Sequence, residues 1–430
     1  MADGSADFVV EARERAHRAA YDAPIELLNP ARAAAFRDDA QWAFFDRLRK
    51  EDPVHWTPDS NYGAFWSITK YNDIIAIDSN HQVFSSASGI TLTTKETQAM
   101  AAARTEPSAQ NFISMDSPKH DEQRKTVSPA VAPHALAQMA PVIRERAGAI
   151  LDSLPIGEPF DWVDLVSKEL TTMTLATLFD FPFEQRRKLT FWSDAMTQPV
   201  GYGGVVDTPE ARAKAIADCF AFFAELWNER VDAPPKGDLV SMLAHGEATR
   251  NMSQQEYFAN INLLIIGGND TTRNTISGSV FALNRFPEQY DKLRANPGLI
   301  PSMVSETIRW QTPLAHMART ALEDFEFQGK LIKKGDKVIM WYVSGNRDEE
   351  AIDRPYEFII DRARPRQHVS FGFGIHRCVG NRLAELQLTI IWEEIMKRFP
   401  DIQLLEEPRR TYSIFVKGYE EMKVLIPRRN

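Results

Sequence analysis

The chain has 430 residues, 43% of them apolar, and a formal net charge of −9. That acidic balance argues against general nucleic-acid binding, because phosphates repel it. Two cysteines, Cys219 and Cys378, are too few for a disulfide-stapled secreted fold or for a closed all-cysteine zinc site.

The opening Met-Ala-Asp-Gly-Ser has no basic region followed by an apolar one. The longest apolar runs, such as Leu263 to Ile266, are far too short to span a bilayer. A cytoplasmic protein without a membrane anchor is expected. Residues 1–40 are rich in Ala and Arg and read as an N-terminal extension, a loosely docked helix plus loop. Residues 41–430 read as a single domain, with no internal repeat, low-complexity tract or Gly/Ser linker. Between Trp56 and Asn80, the alternation Phe65-Trp66-Ser67-Ile68 before a turn at Asn72-Asp73 predicts a short hairpin.

From residue 120 to 310, apolar residues recur at three- and four-residue spacing. They predict helices over Pro141–Leu154, Trp162–Phe179, Pro209–Glu229, Ser253–Asn284 and Leu299–Trp310. Breaks are expected at Pro155, Gly157, Pro182, Gly201 to Gly204, Pro234-Pro235 and Pro287. Thr208-Pro209-Glu210 and Ser253-Gln254-Gln255-Glu256 read as helix starts. Phe325 to Ile332 and Lys337 to Trp341 read as strands, turning at Gly329 and Gly335. Asn346 to Val369 has little periodicity, and irregular stretches of that length are usually functional in compact domains. A last helix is predicted from Asn381 to Lys397. The fold class is mainly α with small β-sheets (α+β).

The strongest local signal is Phe371-Gly372-Phe373-Gly374-Ile375-His376-Arg377-Cys378-Val379-Gly380. Its glycines permit tight backbone geometry and close approach of a flat ligand. Cys378 ends the loop just before a helix, whose N-terminal amides favour a thiolate. Cys219, beside Phe220, Phe222 and Phe223, reads as ordinary core. Three further segments stand out. Gly267-Gly268-Asn269-Asp270-Thr271-Thr272 places adjacent glycines inside a helix, which costs helical stability and leaves room against the backbone. Thr271 can bond back to a carbonyl one turn earlier, and an acid beside a hydroxyl makes a proton-delivery pair. Glu306 and Arg309 lie on one face of an apolar helix, and a buried pair needs further partners. His120 and Arg124 share a helical face and can donate to an anion.

The ten-residue loop resembles the cysteine-ligand loop of the cytochrome P450 superfamily, whose Phe-Gly-x-Gly-x-His-x-Cys-x-Gly pattern it matches at every defined position. The other segments match that family in order and spacing, and the resemblance spans residues 40–430. It begins the oxygen-side segment with Gly267-Gly268 where many members have Ala-Gly. The resemblance implies a triangular, prism-like fold holding haem b between two helices, with Cys378 on the iron. It implies that Thr271 holds dioxygen by a hydrogen bond and Asp270 helps relay protons. It places His120, Arg124, Arg319 and His376 on the haem propionates, and Met115, Gly268, Phe371, Gly372 and Gly380 against the cofactor. It makes Glu306, Arg309 and Arg362 a structural trio pinning the irregular stretch.

Ala315 to Thr320 and His368 to Glu385 look like the soluble bacterial terminal hydroxylases of alkanes and fatty acids. Hydroxylation of a medium-chain aliphatic at or near its terminus is therefore expected. Candidate substrate contacts are Ile90, Leu92, Phe112, Leu264, Leu314, Met317, Ile414 and Phe415. Electrons would come from a ferredoxin and its NAD(P)H-dependent reductase, docking on Arg364, Arg366, Arg377 and Arg382 by complementary charge. Three alternatives stand beside this: hydroxylation of a terpenoid or other polycyclic substrate, a peroxide-driven member, and a non-catalytic haem sensor. The Asp270-Thr271 pair argues against the second, and the third need not keep that pair.

Overall fold

The computed structural model describes residues 3–103, 109–198, 200–202 and 204–430. Its spine is the helix Gln254–Arg285, 32 residues long and so about 48 Å from end to end. Ser253 caps it, accepting from the Glu256 N–H at 3.1 Å, as the Ser-x-x-Glu pattern predicts. From Asn269 to Leu283 every residue but Thr271 is buried. Helices Glu169–Phe179, Arg187–Thr197, Ile300–Gln311 and Asn381–Arg398 all pack on it. Polar residues in this stretch find partners across the packing: Ser277 meets Ser167 at 2.8 Å, and Trp392 Nε1 donates to Ser279 at 2.8 Å.

The largest core cluster joins Ile276, Val280 and Leu283 of the spine to Ile143, Ala147 and Leu151, to Met303 and Ile308, and to Leu388, Ile391 and Trp392. The helix expected from Pro141 begins earlier, at Pro133, and runs to Asp152. Pro133 supplies a preset φ at the first turn. Pro141 removes one ladder bond, but the buried face Leu136, Ile143, Ala147, Ile150 and Leu151 continues through it. The other predicted helices form within two residues of their expected ends, apart from a π-helical opening turn at Val163–Lys168. Thr208 caps Pro209–Val231 by accepting from Ala211 N–H at 3.1 Å. Gly203, within one expected break, lies outside the described residues.

A five-stranded sheet runs in the order Val54–Thr57, Phe65–Ile68, Lys337–Met340, Met317–Ala321, Phe84–Ser85. Phe65–Ile68 pairs antiparallel with Val54–Thr57 and parallel with Lys337–Met340. Asn72-Asp73, expected as a turn, instead lies in the helix Tyr71–Ser79. Asp73 suits its first turn, and Ile74 and Ile77 are buried one turn apart. Phe325–Phe327 and Lys330–Ile332 form the expected hairpin, with Gln328 and Gly329 at φ of 50° and 73°, the geometry a tight hairpin turn demands.

The N-terminal helix Asp3–Tyr21 buries Ala12, Ala16 and Ala20, four residues apart, against Leu28, Phe44 and Leu48. It thus shares a core cluster with helix Trp42–Glu51, a firmer seat than the loose docking expected. No helix among the described residues is long and apolar enough to cross a membrane.

Candidate functional site

The cysteine loop is folded by its glycines and by one buried acid. Gly372 and Gly374 take φ of 66° and 65°, which other residues rarely adopt. A Cβ on Gly374 would lie 2.6 Å from the Asp78 carbonyl oxygen. The Asp78 carboxylate, buried in helix Tyr71–Ser79, accepts from Phe373 N–H at 2.8 Å, the Tyr342 hydroxyl at 2.7 Å and Arg319 at 2.7 Å. Cys378 N–H donates to the Phe371 carbonyl at 2.8 Å, and helix Asn381–Arg398 follows. Burial pushes the Cys378 thiol up, while the Gly380 N–H bonded to it and the charges of Arg124 and Arg377 pull the other way. The residue is exposed, and it lines a large cavity.

That cavity has a volume of about 370 Å³. One wall carries Cys378, Phe371, Gly372, Val379 and Gly380; the spine faces it with Gly267, Gly268, Asp270, Thr271 and Thr275. Thr271 Oγ1 donates to the Gly267 carbonyl at 2.9 Å, loosening the ladder locally. A Cβ on Gly267 would meet nothing within 4 Å, whereas one on Gly268 would strike Leu175 Cδ2 at 2.6 Å. Gly268 is therefore packed against Leu175, which a larger residue would displace, and Gly267 is the glycine that keeps space open.

The Asp270 carboxylate turns sideways. It lies 3.1 Å from Arg273 and accepts from the Ser193 hydroxyl at 3.2 Å. Arg273 also meets Asp194 at 2.6 Å, and Lys168 reaches Asp194 at 3.4 Å. Burial pushes Asp270 up, Arg273 pulls it down, and the Asp194 carboxylate adds to the rise. Among the described residues, Asp270 Oδ2 has no hydrogen-bond partner and no hydrogen bond joins Asp270 to Thr271.

Arg124, Arg319 and His376 line one edge of the cavity. Arg124 donates to the Arg377 carbonyl. His376 Nε2 lies 3.0 Å from the Ser86 hydroxyl, and its buried Nδ1 has no partner among the described residues. Burial, with Arg319, His120 and Arg124, pushes the His376 imidazole down to about 2, so the ring is neutral. His120 sits beside it, the ring centroids 4.1 Å apart. Its nitrogens lie 2.7 Å from the Phe112 carbonyl and 3.1 Å from the Ile375 carbonyl.

The cytochrome P450 family profile matches residues 298–414. Linalool 8-monooxygenase of Pseudomonas putida is 36% identical over 391 residues, covering 89% of this chain and 94% of that protein. The methyl-branched lipid omega-hydroxylase of Mycobacterium tuberculosis is 32% identical over 408 residues, covering 91% and 92%. The solved structure of CYP153D17 from Sphingomonas sp. PAMC 26605 matches with a TM-score of 0.86 at 45% identity, covering 94% of this chain and all of that one. This chain belongs to the cytochrome P450 family.

A cytochrome P450 binds haem b through a cysteine thiolate, and the residues present fit that group. Two glycine-rich walls face the cavity, and Cβ atoms on Gly267 and Gly380 would meet nothing within 4 Å, so the space beside them is open. Arg124 and Arg319 supply positive charge for two carboxylates at one edge, and His376 Nδ1 is an unmet polar atom there. Among the described residues no group of His, Cys, Asp or Glu could hold a bare metal ion. A lone sulfur suits an iron whose other positions a porphyrin fills.

The other expected P450 residues fall as follows. Gly268, Phe371, Gly372 and Gly380 line the cavity. His120 and Met115 lie off its wall: His120 is tied to backbone carbonyls and Met115 is buried in the cluster with Phe112. Ile90, Phe112, Leu264, Leu314, Met317 and Phe415 line it. Leu92 and Ile414 do not; both are buried in a separate cluster with Phe36, Phe45 and Trp341. The backbone bends at Ile90 and Thr91, which carries Leu92 away from the cavity. Glu306 bonds Arg309 at 2.7 Å and Arg362 at 2.9 Å, completing the expected trio. Arg364, Arg366, Arg377 and Arg382 are all exposed. Cys219 is core, in the cluster with Phe223 and Tyr257. Sequence reasoning missed Asp78 and Ser86, and it read room beside both glycines where only Gly267 has it. A lone acid beside Ile74 and Ile77 was the only hint of the first.

Proposed function

We propose that this monooxygenase hydroxylates medium-chain aliphatic substrates, alkanes or fatty acids, at or near the chain terminus. Electrons come from a ferredoxin and its reductase in the cytoplasm. The observation that carries the reading is the apolar wall on the Cys378 cavity made by Ile90, Phe112, Leu264, Leu314, Met317 and Phe415. Such a wall offers a flexible chain burial without hydrogen-bond demands. The identity to a methyl-branched lipid omega-hydroxylase supports a chain-end position. The identity to linalool 8-monooxygenase supports a second reading, a branched terpenoid.

In this mechanism Cys378 holds the haem iron, and haem so held supplies the chemistry that activates dioxygen and oxidises a C–H bond. Arg124, Arg319 and His376 hold the propionate edge. Thr271 is the one residue of Asn269–Leu283 not buried, and from the cavity wall its hydroxyl would hydrogen-bond dioxygen. Asp270, whose carboxyl burial pushes up and Arg273 pulls down, would relay protons toward that hydroxyl. Gly267 leaves space beside it. The apolar wall positions the substrate and excludes water. Arg364, Arg366, Arg377 and Arg382 offer a positive face to an acidic ferredoxin. Residues 41–430 form the catalytic domain and residues 1–40 an extension seated on it.

The spectrum of the reduced protein under carbon monoxide tests the thiolate. Product analysis with n-alkanes, fatty acids and terpenes, with ferredoxin and reductase supplied, tests the substrate. Terminal alcohols from linear chains are expected. Turnover of polycyclic substrates alone refutes the aliphatic reading.

A further inference from the structure

We propose that His316 is a positioning residue that clasps two walls of the cavity together and so fixes which substrate carbon rests above Cys378. The choice of an aliphatic probe rests on the proposed function; the clasp itself does not. His316 is fully buried just before strand Met317–Ala321. Its Nδ1 lies 3.0 Å from the Ile414 carbonyl oxygen, an acceptor only, so Nδ1 carries the proton. Burial pushes the imidazole down to about 4, which leaves Nε2 a free lone pair at neutral pH. Nε2 accepts from the Leu92 N–H at 3.2 Å and from the Thr91 hydroxyl at 3.0 Å.

One ring thus ties residues 91–92 to residue 414, two segments remote in sequence. Ile90 and Thr91 line the cavity on one of these segments and Phe415 on the other. The ring packs edge-on to Phe415, centroids 5.4 Å apart, and lies 4.9 Å from Trp341. The Phe415 carbonyl accepts from Ala315 N–H at 2.8 Å, closing the same unit. All the ring's polar atoms are satisfied, so removing either nitrogen leaves a buried N–H or carbonyl unpaired and loosens both walls. Adjacent methylenes of a chain differ only in position, so a small shift of a wall changes the carbon attacked.

The test compares His316→Phe, His316→Gln and His316→Asn in the haem-loaded protein turning over n-octane. Phe keeps the ring packing without hydrogen bonds. Gln keeps an acceptor near the place of Nε2, and Asn a donor near that of Nδ1. With the carbon monoxide spectrum unchanged, the ratio of internal to terminal alcohols should rise roughly fivefold to tenfold in the Phe variant, the scale of one lost buried hydrogen bond. The two amide variants should fall between. Unchanged product positions in all three, with only a lower melting temperature, overturn the proposal. If the Phe variant fails to hold haem, Thr91→Val removes a single bond and must still raise the ratio; no change there overturns it too. If the wild type oxidises only polycyclic substrates, the aliphatic reading fails, and the same comparison of product positions on those substrates still decides the role of His316.

Discussion

Glu306→Gln should disable the protein by releasing the irregular stretch that carries the cysteine loop. Glu306 is fully buried and its two oxygens accept from Arg309 Nε at 2.7 Å and Nη2 at 2.8 Å, from Arg362 Nε at 2.9 Å, and from Ile359 N–H at 2.8 Å. The oriented guanidinia then donate to carbonyls of the stretch itself. Arg309 reaches those of Asn346, Pro355 and Glu357 at 2.8, 2.7 and 3.0 Å, and Arg362 reaches that of Arg354 at 2.9 Å. An amide in place of the carboxylate removes the charge that faces buried Arg309 and half-buried Arg362 and turns a donor toward donors. Removing one partner of a buried pair costs about 3–5 kcal/mol, against a total stability of about 5–15 kcal/mol. The loss falls first on residues 346–369, which open below the global limit. Thermal unfolding followed by haem absorbance, with amide exchange across residues 346–369, reads this directly. Glu306→Gln protein with full haem content, an unchanged melting temperature and unchanged exchange would refute the reasoning.

Gly268→Ala should destabilise by about 1–3 kcal/mol through overpacking on Leu175. Gly267→Ala, with open space at its Cβ, should keep or raise the melting temperature by its better helix propensity while weakening substrate binding in a spectral titration. Asp39 gives a pH signature. Burial pushes its carboxyl up, but Arg410, Arg13 and Lys417 outweigh that and hold it at about 2, below its ordinary 3.8. A depressed carboxyl contributes stability fully above pH 3.8 and loses it as pH falls through about 2. Asp39→Asn should therefore melt lower at neutral pH and show a flatter acid limb in that window. Thr271→Ala should keep haem and substrate affinity yet yield roughly tenfold less product per electron consumed, the scale of one strong hydrogen bond; equal coupling would place the proton route elsewhere.

The helices that start at Ser253 and Thr208 were legible because an apolar face and a cap coincide there. One whose buried face is partly polar was not. Helix Arg187–Thr197 buries Thr190, Ser193 and Asp194 with Leu189 and Trp192, because its inward side meets the Arg273 ion network. Its apolar stripe, Leu189, Trp192 and Ala195, is short and interleaved with those polar residues. Pro141 hid the first two turns of its helix because a proline inside a helix reads like a stop. Of the five-stranded sheet, Phe65–Ile68 and Lys337–Met340 were legible; Met317–Ala321 and Phe84–Ser85 were not, nor was the order, since Phe65–Ile68 lies parallel to Lys337–Met340, a pairing that nothing within either strand encodes.

The site divides along the same line. Cys378, its glycines and Gly380 are contiguous, so the chemistry could be read from ten residues. The trio was legible because Glu306 and Arg309 share one helical turn. The pocket walls come from several remote segments, each held by bonds that no local pattern announces. Phe415 faces the cavity and its neighbour Ile414 does not, although both are apolar. Their orientation goes with His316 donating to Ile414's carbonyl and with Phe415's own carbonyl accepting from Ala315 N–H. Asp78 likewise sets the loop by meeting Arg319, Tyr342 and Phe373 from three parts of the chain. Catalytic class therefore lies in short covalent neighbourhoods, where spacing fixes geometry. The walls that would face a substrate are set instead by tertiary hydrogen bonds between remote segments, as at His316.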